Sequence, residues 1–268
     1  MFRKMALTGV LLVLVCCALP SWAEEPDCTF TFASGPGDPN LQFCVSSNGN
    51  LVYLEMSNNF QVIGSYYGDG GKQEGFEGYG LCNESPPMAY SDFENNSNGG
   101  TNWGTSTILS QSATSVKIAR TTNDGVWTLT QTFTADKTTP AVNLVMSLKN
   151  NTKVARVAYL TRWVGVNATN WNYSSTHDRA FAWNASTPVD QFGFGLMLQN
   201  QGMPQFGFMN TYVWTEFGGG PPNPCNFAGG AVNVPLVNAG YASMAIAYVD
   251  TVAAKKSKKV TLEYNGMY

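Results

Sequence analysis

A single histidine, His177, stands in a chain of 268 residues, and charged side chains make up only 12% of it. One imidazole cannot build a histidine-based transition-metal centre, and no C-x-x-C spacing offers the thiolate pairs of a zinc site. There is no G-x-S-x-G elbow, no phosphate-cradling Walker loop and no dinucleotide fingerprint. Serine-hydrolase, nucleotide and nicotinamide chemistry are therefore not expected, and no cofactor or metal is called for. Helical periodicity is also missing. The alanines of 241–254 are interleaved with Tyr, Ile, Val and Thr, which favour a strand. Without a proline- or serine-rich linker or a self-similar repeat, residues 24–268 are expected to form one domain.

Only one long apolar run is present, at the start. Arg3 and Lys4 precede the apolar stretch from Ala6 to Leu19, Pro20 breaks it, and Ser21-Trp22-Ala23 puts small residues at −3 and −1. That is the layout of a signal peptide over 1–23, cleaved after Ala23. The stretch falls short of the roughly 18 residues a membrane span needs. Neither Cys16 nor Cys28 is preceded by the small residues a lipid-modified cysteine requires. The reading is a secreted or periplasmic protein with no membrane span. Cleavage removes two positive charges, so the net charge of −3 becomes −5. An acidic balance argues against nucleic acid, heparin-like glycans or anionic lipid as main partners. The one basic run, Lys255-Lys256-Ser257-Lys258-Lys259, precedes a strand-like segment and reads as a solvated loop guarding a sheet edge.

Cys28, Cys44, Cys82 and Cys225 survive cleavage, and an even count in an exported chain favours two disulfides with three possible connectivities. The preferred pairing is Cys28–Cys44, closing a local hairpin, with Cys82–Cys225 tying two long loops together.

Strand periodicity runs through most of the rest. Trp127, Leu129 and Phe133 alternate with Thr128, Thr130, Thr132 and Thr134, which predicts a half-buried strand with a threonine-lined outer face. Segments 142–149 and 260–264 alternate in the same way. Further strands are expected at 28–33, 41–46, 51–57, 60–66, 106–111, 115–121, 156–166, 192–199, 206–215 and 241–249. Asn48-Gly49-Asn50 and Asn123-Asp124-Gly125 supply turns. A dozen or more strands with short connections predict an all-β fold, a large antiparallel sandwich. Three long connections, 67–105, 167–191 and 216–238, are rich in Gly, Asn, Pro and aromatic residues. They are the expected carriers of function.

The succession Gly49-Asn50-Leu51-Val52, Glu77-Gly78-Tyr79-Gly80-Leu81-Cys82, Asn102-Trp103-Gly104 and Asp124-Gly125-Val126-Trp127-Thr128-Leu129 resembles a group of uncharacterised exported bacterial all-β proteins. In architecture, the strands from Val126 to Asn167 resemble galactose-mutarotase-like supersandwich proteins, many of which handle carbohydrates. That resemblance implies a supersandwich fold. Mutarotases rely on two histidines and a carboxylate, and with only His177 here their catalytic set does not carry over.

Three constellations could carry chemistry. The first holds Arg162, Trp163, Trp171, Tyr173, His177, Asp178, Arg179 and Trp183. Aromatic faces pack on the C–H faces of sugars while Asn, Asp and Arg bond hydroxyls, so Trp163, Trp171, Trp183, Trp214 and Arg179 are candidate ligand-binding residues. Tyr173 and His177 are candidate acid/base groups for eliminative cleavage. Equally, the tryptophans could plug the ends of the sandwich and His177 could cap a turn. The second is the acidic loop 69–94, whose Glu77 could be one of a carboxylate pair acting on a glycosidic bond. It could instead ligate calcium, although no D-x-D-x-D-G signature appears, or lie in solvent. The third, around Trp214 and Glu216, would sit beside the second if Cys82–Cys225 forms, which would let Glu216 meet Glu77 or Glu84 as the preferred carboxylate pair. Six N-x-S/T sequons, at Asn83, Asn95, Asn150, Asn167, Asn172 and Asn184, are read as a by-product of composition. The functional expectation is carbohydrate binding, of a neutral polysaccharide or glycan, through the aromatic and asparagine-rich loops. Alternatives are a glycoside hydrolase or polysaccharide lyase, and a structural surface protein with no small ligand.

Overall fold

A computed structural model describes residues 28–37, 40–56, 60–64, 76–93, 101–166, 171–184, 195–214, 223–229, 237–239 and 243–267. The expected signal peptide lies outside the described residues. Eighteen strands follow in order: β1 (Phe30–Ser34), β2 (Leu41–Val45), β3 (Leu51–Met56), β4 (Phe60–Gly64), β5 (Phe76–Asn83), β6 (Met88–Phe93), β7 (Trp103–Gln111), β8 (Ser115–Thr122) and β9 (Trp127–Ala135), then β10 (Ala141–Asn150), β11 (Arg156–Gly165), β12 (Trp171–Ser175), β13 (Arg179–Asn184), β14 (Gly195–Asn200), β15 (Phe208–Trp214), β16 (Val237–Ala239), β17 (Ser243–Val252) and β18 (Ser257–Met267). A 3-10 turn, Pro224–Gly229, is the one helical element among the described residues.

The strands form three antiparallel sheets where the periodicity suggested two. A nine-stranded sheet runs β16-β12-β13-β14-β18-β10-β9-β8-β7, a five-stranded sheet β15-β17-β11-β5-β6, and a four-stranded sheet β1-β2-β3-β4. One hydrophobic core draws on all three, including Phe43 and Leu51 from the small sheet, Leu81 and Leu160 from the five-stranded one, and Trp127, Phe133 and Leu262 from the nine-stranded one. The periodicity of β9 translates directly: Trp127, Leu129 and Phe133 are buried, and the threonines between them form the outer face. Burying one full aromatic or aliphatic side chain contributes about 1.5–3 kcal/mol, so this single cluster is what holds the sheets together.

Two expectations require correction. The three long connections are not loops throughout, because they contain the hairpins β5–β6 and β12–β13, the 3-10 turn and β16. Glycines disguised the first of these. In β5, a Cβ on Gly80 would approach Pro224 Cβ and Thr161 Oγ1 to 2.8 Å each, so the missing side chain makes room for the 3-10 turn lying across the strand. The lysine run is not an edge guard either. It opens β18, which lies centrally in the nine-stranded sheet between β14 and β10.

Both disulfides form with the expected pairing. Cys28–Cys44 has a Cα separation of 5.6 Å, and Cys82–Cys225 has one of 5.0 Å across 143 residues of sequence. The second fastens the 3-10 turn onto β5. Among the described residues no helix is long and apolar enough to cross a membrane.

Candidate functional site

The expected site residues separate into three environments. Glu77 lies in the core. On β5 its side chain faces the nine-stranded sheet and forms an ion pair with Arg162 of β11, both at 0% exposure. Tyr264 of β18 donates to Glu77 Oε1 at 2.5 Å, and the Leu51 N–H donates to Oε2 at 2.7 Å. Arg162 completes its set with Gln131 Oε1 at 2.5 Å and the Gly49 carbonyl at 3.2 Å. Burial pushes the Glu77 carboxyl up from its ordinary value, while Arg162 pulls the other way. A second buried pair, Arg120 with Asp92, adjoins it through Tyr79, whose hydroxyl accepts from Arg120 at 2.8 Å and donates to the Asn48 carbonyl at 2.8 Å. No substrate reaches groups so enclosed. The network instead locks the 48–51 turn of the small sheet between the two large ones.

Trp163 and Tyr173 are also interior. Trp163, 2% exposed, points to the far face of the five-stranded sheet, where its indole N–H donates to Ser243 Oγ at 2.7 Å and its ring meets Phe93 edge-on. Tyr173 belongs to the main core. His177 is exposed on the turn between β12 and β13, so the structure does not bring Tyr173 and His177 together. Trp171 and Trp214 lie on β12 and β15, with their side chains outside the described residues, as is Glu216 altogether. The Glu77–Glu216 juxtaposition therefore falls outside the described residues.

Trp183 and Arg179 occupy the third environment, the outer face of the nine-stranded sheet. On β13, Ala180 and Ala182 are buried while Arg179, Phe181 and Trp183 project from the opposite face. The registers set their neighbours. Asn172 stands across from Trp183, and Ser174 and Met197 flank Phe181. Asn265 follows beside Met197, and Gln199 beside Arg179. Two half-buried rings thus lie on one sheet face, edged by amides and a hydroxyl. Among the described residues, the one carboxylate on this part of the face is Glu263. Gln199 and Asn265 donate to its Oε1 at 2.9 and 3.0 Å, and Gln201 donates to its Oε2 at 3.0 Å. Arg179 is paired with Asp178 on the adjoining turn, which holds the Asp178 carboxyl below its ordinary range. Among the described residues no group of three or more His, Cys, Asp or Glu could hold a metal ion.

Sequence reasoning weighed Trp183 and Arg179 but missed Phe181 and the amide rows around it. The signal was present in Arg179-Ala-Phe-Ala-Trp183, where the small residues take the inner face and the large ones the outer. Of the sequons, Asn83 and Asn150 are buried with their amides donating to the carbonyls of Pro86 and Val154.

No protein-family model matches the sequence, and no curated protein matches it. Solved structures do resemble the fold. A galactose mutarotase-like protein from Lactobacillus casei is 9% identical, with a TM-score of 0.52 over 88% of this chain and 100% of its own. A galactose mutarotase related enzyme from Lactobacillus acidophilus is 6% identical, with a TM-score of 0.44 over 89% of this chain and 98% of its own. A polysaccharide lyase is 9% identical at a TM-score of 0.49 and matches 85% of this chain, which spans only 32% of the lyase. The fold is galactose-mutarotase-like. At these identities the likeness extends to the fold alone.

Proposed function

We propose that this is an exported single-domain protein that binds carbohydrate on the outer face of its nine-stranded sheet. The observation that carries the reading is the pair of rings on β13, Phe181 and Trp183, set among Asn172, Ser174, Gln199 and Asn265. Such a surface offers an apolar platform for the C–H face of a sugar and amide groups for its hydroxyls, the usual division of labour in a ligand site. Two disulfides fit an oxidising compartment outside the cytoplasm. The galactose-mutarotase-like fold is in keeping with a sugar ligand.

Binding is favoured over turnover. A glycosidase needs two carboxylates with access to the bond they cleave. Glu77 is sealed in the core, and both oxygens of Glu263 are taken up by amides. The test is a glycan array with the mature protein, followed by reducing-sugar release on mixed polysaccharides. Binding without release, abolished by Trp183→Ala, is expected. Reducing ends released in proportion to enzyme would replace this reading with a hydrolase or lyase.

A further inference from the structure

The four neighbouring strands β8, β9, β10 and β18 carry only one acidic residue between them, Glu263. Their lysines are distributed unevenly. Lys258 points inward to pair with Asp250, whereas Lys117, Lys149 and Lys259 stand exposed on the outer face. The registers fix where. Lys259 lies across from Ser147, Lys149 across from Thr128, and Lys117 across from Thr132. All three occupy the half of the face farthest from Trp183, in a protein whose overall charge is negative. The basic run does not guard an edge, and of its exposed members Lys255 donates to the Asn151 carbonyl while Lys259 stands on the open face.

Between the two ends the floor is continuous and, apart from Val145, polar. Passing from Asn265 towards Ser257 along β18, the outward groups on β18, β10 and β9 are Asn265, then Glu263, Asn143 and Thr134, then Thr261, Val145 and Thr132, then Lys259, Ser147 and Thr130. Eight residues of strand span about 27 Å at about 3.4 Å each. Asp136, held at the rim by Thr138, Thr139 and Asn143, and the Asp178–Arg179 pair also border this face, and the exposed Lys137 follows Asp136 on its turn.

We infer that the face is a track for an extended acidic polysaccharide, with sugar rings stacked at Phe181 and Trp183 and carboxylate or sulfate groups met by Lys149, Lys259 and Lys117. The inference rests on the reading of this face as the carbohydrate site and adds the sign of the ligand's charge. A chain net acidic as a whole can attract a polyanion locally, because charges more than about 8 Å away are screened at physiological salt.

Affinity electrophoresis of the mature protein tests it, in gels containing polygalacturonate, its methyl-esterified form, dextran sulfate or single-stranded DNA. Retardation by polygalacturonate or dextran sulfate and not by the esterified polymer is expected, and which of the two retards separates carboxylate from sulfate recognition. The triple variant Lys117→Gln/Lys149→Gln/Lys259→Gln should weaken that binding about tenfold, from three exposed ion pairs of ordinary strength. Trp183→Ala should weaken it as well. Equal binding of the esterified polymer, lost in Trp183→Ala but unchanged in the triple variant, would overturn the charge assignment and leave the carbohydrate face standing. Polyanion binding that depends on the lysines but ignores Trp183, or equal retardation by DNA, would overturn the track. No retardation by any polymer would overturn the acidic track, while the carbohydrate face itself stands or falls with the glycan array.

Discussion

Removing one partner of the buried Glu77–Arg162 pair should be among the costliest changes this fold can suffer. In Arg162→Met the Glu77 carboxylate remains at 0% exposure, keeping only the hydroxyl of Tyr264 and the N–H of Leu51. Breaking a buried pair from one side costs about 3–5 kcal/mol, because an uncompensated charge is left in a medium that solvates it poorly. For a chain of this size that is a fall of roughly 6–20 °C in Tm. The double variant Glu77→Leu/Arg162→Met should recover part of the loss, since an apolar pair can replace an ion pair at little net cost. Recovery should stop short, because the Gly49 carbonyl and the Leu51 N–H lose their partners, at about 1–3 kcal/mol for each group left unsatisfied. Urea unfolding of the four proteins in the double-mutant cycle, with disulfides intact, measures this. Strictly additive costs, or an Arg162→Met midpoint equal to the parent, would refute the account of the network as one coupled unit.

Replacing Cys82 and Cys225 by Ser should destabilise the protein by about 4–5 kcal/mol in the chain-entropy picture, because the bridge closes a loop of 143 residues. The 3-10 turn should become the first site of limited proteolysis. Asp136 offers a handle on acid stability. Its carboxyl is held down to about 2 by the Thr138 N–H and hydroxyl, with the Thr139 N–H and Asn143 amide adding to them. A depressed folded value means that this stabilisation is present above the ordinary aspartate range and lost as pH falls from about 4 towards 2. Asp136→Asn should lower Tm at pH 6 but flatten its decline below pH 4, as followed by thermal melts across that window.

The fold class was legible because a sheet with one face in the core imposes period two on its residues, and β9 follows it throughout while β10 and β18 follow it over most of their length. The disulfide pairing was legible from cysteine spacing and loop chemistry. Strand β5 was not, since Gly78 and Gly80 imitate a loop when the segment lying across them is unknown. Glu77 was misleading for a related reason. A glutamate in a glycine-rich stretch looks solvated, and only the partner supplied by β11 makes its burial tolerable.

The amino-acid order by itself determined the alternation of faces, the turns and the cross-links, all properties of neighbours along the chain. It could not determine which face of which strand meets which other. That depends on strand order, and β18 lying between β14 and β10 is a fact of the assembled sheet. Tertiary packing alone decided that Glu77 turns into the core, that Trp163 is buried on the far face of the five-stranded sheet, and that Phe181, Trp183 and three lysines share one open surface. Burial and charge proximity are set by contacts between residues far apart in sequence.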